Sequence, residues 1–406
     1  VVICPAHLRE NWRAEFNKFG HFSRKIVKAQ TLHDFVAWSR GVFDILLVSY
    51  ELATKWASHF DDLGEPLDFI AMDESHYLAH LGTQRTLAIL GPDGDGRQGL
   101  IRWALQAWWV TGTLLPNDPA QCYSFLRFSN AMNLSYDAFR RRFFWSKTSL
   151  WGERNRPKPE HLAELQSLII NNSIRRTFKD VGVQLPEIFL TTTVVDGDTE
   201  HIRLLLAQHP GLDASILDAV NNGGLSFLDS QHVATLRRLI AEAKAIPYAE
   251  MLFDELKQDP GRKVVVMGVS RDALQTIRDY LAKRKIWCVL VQGGVSENVR
   301  NQALESFQGN DECRVFIGNM VAAGTGLTLT AAAHIDIFES SWVPKVIDQA
   351  IRRIRRIGQT KQQHGRFITL ARSLDEVVNR VVADKTRAIA MVEGDDDLLL
   401  APAPAA

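Results

Sequence analysis

The chain has 406 residues, of which 46% are hydrophobic and 23% charged, and its 47 basic and 47 acidic residues give a net charge of zero. That length favours two domains over one core, and the charge balance excludes a globally basic nucleic-acid binder while leaving room for a local basic cleft. No apolar run approaches the ~20 residues of a membrane helix, and Cys4, Cys122, Cys288 and Cys313 lack the paired spacing of a zinc site or disulfide framework, which fits a reducing compartment.

The chain opens on Val1-Val-Ile-Cys4, which reads as a buried strand. It has neither an initiator methionine nor a signal-peptide pattern, so the sequence is expected to be a fragment or to start further upstream. Further apolar runs at 44–49, 69–72 and 108–111 read as strands of one sheet. Those at 263–267, 287–291, 315–317, 334–338 and 367–370 form a second set. Buried strands alternating with helical patterns indicate parallel sheets. Between the sets lie roughly 150 residues with few strand signals, read as a helical insertion.

Within the insertion, 139–144 is basic and aromatic, and 151–160 is rich in charge and proline. The stretches 201–217 and 232–256 look helical, divided by the turn signal Asn221-Asn-Gly-Gly224. Gln184-Leu-Pro-Glu187 reads as a crossing between lobes. The fold class is therefore α/β, two lobes with parallel sheets and a helical insertion between them. The expected boundaries are 1–190 for the first lobe with its protrusion, incomplete at its N-terminus, 191–250 for a helical linker, 251–392 for the second lobe, and 393–406 for a disordered tail.

Chemistry-bearing residues sit where strands end. The strand at 69–72 runs into Asp73-Glu-Ser-His76. Ligands of parallel sheets bind beyond the carboxyl ends of strands, where an Asp can hold magnesium and a neighbouring Glu can polarise an attacking water. The plainer alternative is a polar turn with Ser75 as a helix N-cap. Thr111-Gly-Thr113 ends the next strand and is either a turn or a coupling loop. In the second lobe Ala322-Ala-Gly-Thr-Gly-Leu-Thr328 follows a strand; Gly324 and Gly326 would let backbone approach a ligand closely, and Thr325 and Thr328 offer hydroxyls. Then comes Gln349-Ala-Ile-Arg-Arg-Ile-Arg-Arg-Ile-Gly-Gln359, with four arginines in five positions. On a helix Arg353 and Arg356 would face the same way, as two forks for phosphate oxygens, against the alternative of a basic solvated face.

Taken in order, these segments resemble the Swi/Snf family of superfamily-two, helicase-like DNA translocases, and look closest to its HepA-related, annealing-helicase branch. Val2-Ile-Cys-Pro-Ala-His-Leu-Arg-Glu-Asn-Trp12 is similar to motif Ia, Ser49-Tyr50-Glu51 to motif Ib, Asp73-Glu-Ser-His76 to motif II and Thr111-Gly-Thr113 to motif III. Ile174-Arg-Arg-Thr-Phe-Lys-Asp-Val181 with Leu185-Pro186 resembles the exit from the first lobe. Gln292-Gly-Gly294 through Arg300 to Phe307-Gln308, the run from Ala322 to Ala332, and Gln349, Arg353, Arg356, Gly358 and Gln359 resemble the later motifs.

The resemblance implies two RecA-like lobes binding ATP and Mg²⁺, an ATP-dependent double-stranded DNA translocase, and contacts mainly to the duplex phosphate backbone. It implies catalytic roles for Asp73, Glu74, Arg353 and Arg356, with Asp73 and Glu74 serving the metal. His76, Gly324, Gly326 and Gln349 would bind nucleotide; Arg9, Asn11, Trp12, Ser49, Tyr50, Thr325 and Thr328 would face nucleic acid; Thr111, Gly112 and Thr113 would couple the two. The protein would work in the cytoplasm or nucleoid of a prokaryote or virus, or in a nucleus, without a membrane and without secretion. No segment identifies a protein partner.

Two departures stand out. Leu114 occupies a position where relatives often carry proline. No Gly-Lys dipeptide occurs in the chain, so the phosphate-cradling P-loop is missing and is expected upstream of Val1, leaving these residues inactive alone. The rival readings are a non-catalytic DNA-binding remnant and another superfamily-two helicase or restriction motor.

Overall fold

The computed structural model describes residues 1–20, 24–93, 99–112, 114–149, 152–176, 180–183, 185–209, 227–320 and 327–393. Two compact units divide the chain, one made of Val1–Trp145 with Pro157–Ser173, the other of Ser146–Arg156 with Ile174 onward.

The first unit is built on a parallel sheet of β1 (Val2–Cys4), β2 (Ile26–Lys28), β3 (Ile45–Ser49), β4 (Leu67–Asp73) and β5 (Ala104–Val110), in the order β2-β3-β1-β4-β5. Helix α1 (Arg9–Phe19) follows β1, α2 (Leu32–Ser39) follows β2, and α3 (Tyr50–Lys55) and α4 (Ala57–Asp61) lead from β3 to β4. Helix α5 (Gln84–Leu90) precedes β5. Val2, Leu47 and Ala71 pack on one face of the central strands with Trp12 and Phe16 of α1. Ile3, Val48, Ile70 and Met72 face the larger core. The central strands β1, β3 and β4 are thus covered on both sides, as buried parallel strands require, while the edge strand β5 leaves Leu105 and Trp108 exposed. Beyond β5 lie α6 (Tyr123–Phe128), α7 (Tyr136–Phe143) and α8 (Pro159–Asn171), and between α7 and α8 runs the two-stranded pair β6 (Phe144–Ser149) and β7 (Gly152–Pro157), of which Ser146–Arg156 is grouped with the second unit.

The second unit has a six-stranded parallel sheet in the order β10-β11-β9-β12-β13-β8. Its strands are β8 (Ile188–Val195), β9 (Val264–Gly268), β10 (Trp287–Val291), β11 (Cys313–Asn319), β12 (His334–Ile337) and β13 (Gln363–Leu370). Helix α9 (Glu200–Gln208) and the long α10 (Phe227–Gln258) precede β9; α11 (Arg271–Lys283), α12 (Glu297–Gly309), α13 (Pro344–Ile351) and α14 (Leu374–Glu393) complete the layers.

All nine strands read from the sequence are present. Strand β8 is not among them: residues 188–195, read as the end of the first lobe and the start of a helical linker, pair instead with β13 along eight residues, from Ile188 opposite Gln363 to Val195 opposite Leu370. Its Ile-Phe-Leu-Thr-Thr-Thr-Val-Val sequence has strong β preference, but as an edge strand it lacks the continuous burial that marked its neighbours. Residues 394–406, expected as a disordered tail, lie outside the described residues.

Candidate active site

In the first unit the carboxyl end of β4 concentrates the acidic chemistry. Asp73 ends the strand, and Glu74 turns away from it in a left-handed conformation (φ 52°, ψ 45°), uncommon for a residue with a Cβ. Three hydrogen bonds hold this turn. The Glu74 N–H donates to Asp73 Oδ1 at 2.9 Å, the Tyr77 N–H donates to the Glu74 carbonyl at 2.9 Å, and the Tyr50 hydroxyl donates to the Asp73 carbonyl at 2.8 Å.

The second carboxylate oxygen of Asp73 is also engaged, since the Trp12 indole N–H donates to Oδ2 at 2.7 Å. Burial lifts the Asp73 carboxyl above the usual carboxylate range and the charge of Glu74 adds to this, while the Trp12 and Glu74 hydrogen bonds oppose it. Burial and the Asp73 charge also push the Cys4 thiol, at the end of β1, up to about 12. The Glu74 carboxylate lies 3.0 Å from His76 Nδ1, which is 3.5 Å from the Thr111 hydroxyl. The strand ends carrying motifs II and III are therefore in polar contact. Gly112 is exposed beyond them, and Thr113 lies outside the described residues.

Sequence reasoning assigned Trp12, Ser49 and Tyr50 to nucleic acid. The Tyr50 ring is wholly enclosed, stacked on Tyr77 at 5.4 Å and 12°, with the Arg85 guanidinium over both rings. Its hydroxyl serves the Asp73 turn, and it is not a surface contact. Ser49 is buried too, its Oγ accepting the Leu52 N–H as the cap of α3. Trp12 is half-buried on the Asp73 carboxylate. Asn11 is exposed, and Arg9 is half-exposed, donating to the Ala6 and Ala29 carbonyls.

In the second unit the arginines are not on a helix. Helix α13 ends at Ile351, and 352–359 forms successive turns, with Arg353 N–H bonded to the Ala350 carbonyl, Ile354 N–H to Ile351 and Gln359 N–H to Arg356. Gly358 supplies a positive φ of 100° that a Cβ would oppose. The turns are pinned to the segment after β11: Leu329 N–H donates to the Arg353 carbonyl at 2.8 Å, and the buried Gln359 amide donates to the Ala332 carbonyl at 2.8 Å. Gln308 holds the same segment from below through Thr328 O and the Ala331 N–H. These two glutamines are the site residues whose work the motif pattern did not reveal.

Arg353 is 6% exposed and donates to the Leu327 carbonyl. Arg356 is half-buried, its Nη1 donating to the Thr328 hydroxyl at 2.8 Å, and no carboxylate pairs with it among the described residues. Burial pulls its pKa below the usual guanidinium value. Arg352, by contrast, is bound to Asp348 at 2.7 Å. A half-buried guanidinium with no acid beside it is costly unless an anion completes it. The hydroxyl of Thr328, a residue expected on nucleic acid, accepts the hydrogen bond from Arg356. Gln349 is half-buried on α13, and Gly324, Thr325 and Gly326 lie outside the described residues.

The residues present fit a magnesium-bound phosphate ester. Two adjacent carboxylates suit a cation that takes one or two protein oxygens and keeps water and phosphate for the rest.

A parallel sheet with adjacent carboxylates at a strand end, and a second whose arginine turn holds a guanidinium with no carboxylate partner among the described residues, accord with two RecA-like lobes. The chain belongs to the SNF2-related family: the SNF2-related domain model matches residues 1–238, and the Helicase conserved C-terminal domain model matches 247–358. It is 23% identical over 402 residues to the SWI/SNF-related matrix-associated actin-dependent regulator of chromatin subfamily A-like protein 1 homolog of Caenorhabditis elegans, covering 98% of this chain and 56% of that one. It is 23% identical to the DNA repair and recombination protein RDH54 of Saccharomyces cerevisiae, covering 89% and 42%. It is 25% identical to the ISWI chromatin-remodeling complex ATPase ISW2 of the same yeast, covering 95% and 35%. The chain thus spans about half the length of these relatives or less. No helix among the described residues is long and apolar enough to cross a membrane.

Proposed function

We propose that this chain forms the motor core of an ATP-dependent translocase on double-stranded DNA. The observation that carries the reading is Arg356, half-buried, bound to one hydroxyl and lacking an acidic partner among the described residues. Magnesium bound with ATP would draw charge off the phosphates. Asp73 would bind that ion, Glu74 would orient and deprotonate the attacking water, and Arg353 and Arg356 would take up the charge that builds on the transferred phosphoryl. His76 and Thr111 would report the state of Glu74 to the strand carrying motif III. Exposed Asn11 and Arg9 would meet phosphates of the duplex backbone, so binding is sequence-independent and salt-sensitive. Relatives named for chromatin remodelling and for DNA repair and recombination support a DNA substrate. The working compartment is then the one that holds DNA.

The 406 residues contain no Gly-Lys phosphate loop, and we propose that alone they do not turn over ATP. The test is DNA-stimulated ATP hydrolysis by the longest natural chain containing these residues, beside the 406 residues alone. Stimulated turnover in the first, lost in Glu74→Gln, supports the reading. Duplex binding without turnover in either identifies a non-catalytic remnant, and processive strand separation identifies a helicase of another type.

A further inference from the structure

Trp12 lies in the segment whose resemblance puts it on nucleic acid, yet its indole N–H points inward and donates to Asp73 Oδ2 at 2.7 Å. The ring is fixed from behind by Phe16, one turn on along α1, with centroids 5.6 Å apart. Both residues pack on Val2, Leu47 and Ala71 of the central strands. Oδ1 is meanwhile tied to the Glu74 N–H and the Asp73 carbonyl to the Tyr50 hydroxyl. Both carboxylate oxygens and the carbonyl of Asp73 thus have a donor, and among the described residues it is Trp12 that reaches the carboxylate from another element. An aspartate χ2 is otherwise broad and two-fold, so the rigid indole donor, together with the Glu74 N–H on the other oxygen, sets which way the carboxylate plane faces.

We propose that Trp12 is a positioning residue for Asp73: it fixes the carboxylate in the orientation that receives a divalent cation, and it does not contact DNA. The proposal rests on the function given above only for the cation. It also gives α1 a second role, because exposed Asn11 and inward Trp12 are adjacent, so a phosphate held by Asn11 and the carboxylate are joined through one helical residue. Partners that orient metal-binding carboxylates are commonly worth ~10–100-fold in metal affinity.

The test uses the 406-residue chain with ¹⁵N-labelled indoles. It has ten tryptophans, and the resonance missing from Trp12→Phe identifies Trp12, with Trp12→His as a second assignment variant should the first not fold. The expected results are an upfield move of that resonance in Asp73→Ala, its selective broadening by Mn²⁺ in the wild type, and ~10–100-fold weaker Mn²⁺ uptake in the Trp12 variant. Duplex affinity of the variant should stay within about threefold of wild type, well under the tenfold that 1.4 kcal/mol represents. A Trp12 resonance indifferent to Asp73→Ala, or a Trp12 variant that loses DNA and keeps Mn²⁺, overturns the proposal. A wild-type chain with no Mn²⁺ effect shows that Asp73 takes no cation without bound nucleotide, and the indole shift in Asp73→Ala then judges the Trp12 contact.

Discussion

Arg356 and Arg352 show how differently two arginines of one run can be used. Arg352 is closed on Asp348 with both carboxylate oxygens near its Nε, whereas Arg356 keeps most of its fork unspent. Replacing Arg356 with alanine removes one hydrogen bond to a hydroxyl, so stability should change by no more than ~1 kcal/mol. Turnover of the ATP-competent chain should fall by ~10³ or more. Arg356→Lys should recover little, because a point charge cannot reproduce the planar fork; steady-state kinetics beside thermal melts separate the two effects. The spacing of the arginines was legible in the sequence, and so were Asp73 and Glu74. What it could not reveal was direction: nothing local says that Tyr50 is enclosed or that Trp12 turns inward, because both depend on β1, β3 and β4 being brought side by side.

A second residue-scale prediction concerns His334. It stacks on His364 at 5.2 Å, faces Arg262, Arg366 and Asp336, and burial with the Arg262 charge lowers its pKa to about 4. A histidine held neutral in the folded state contributes stability that is intact above its unfolded pKa of ~6.5 and is lost as pH falls from there toward 4. Because the ring is partly exposed, the loss should be discounted to ~1–2 kcal/mol. The unfolding midpoint of wild type should fall relative to that of His334→Phe as pH drops through that window, and parallel curves would count against the assignment.

At the scale of elements, α10 and the arginine turns explain what periodicity could and could not give. Helix α10 spans 32 residues with Pro247 inside it. Proline has no N–H, so the carbonyl of Ala243, four residues earlier, has no helical donor. That carbonyl faces Gly197, just past β8, where an added Cβ would run into it. Gly197→Ala should therefore destabilise the second unit by ~1–3 kcal/mol, read as a lower denaturation midpoint. The long helix was visible in its sequence pattern. The ending of α13 at Ile351 was not, because Arg352–Arg356 has good helix formers, and only Gly358 with the bonds to Leu329 and Ala332 breaks the helix in favour of turns.

For the whole molecule, the apolar residues divide between cores within each unit: Ile3, Val48, Tyr50 and Met72 in one, Val265, Met267, Phe316 and Ile335 in the other. Units with their own cores are expected to unfold in separable steps. Gly197→Ala should shift one calorimetric transition and leave the other in place, and a single transition moving as a whole would sink that view. With zero net charge, the DNA affinity proposed for this chain would have to come from local contacts. It should fall steeply between about 50 and 200 mM salt.

The left-handed Glu74 has a consequence at the level of evolutionary descent. A glycine at that turn would relieve about 1 kcal/mol of backbone strain, so a glutamate there is accounted for by the use of its carboxylate. In any relative that lacks the proposed activity, the matching position should be free to drift to glycine or asparagine, while the position of Tyr50, which serves the core, should keep its aromatic ring. Comparing such sequences would read the presence of the activity from one codon.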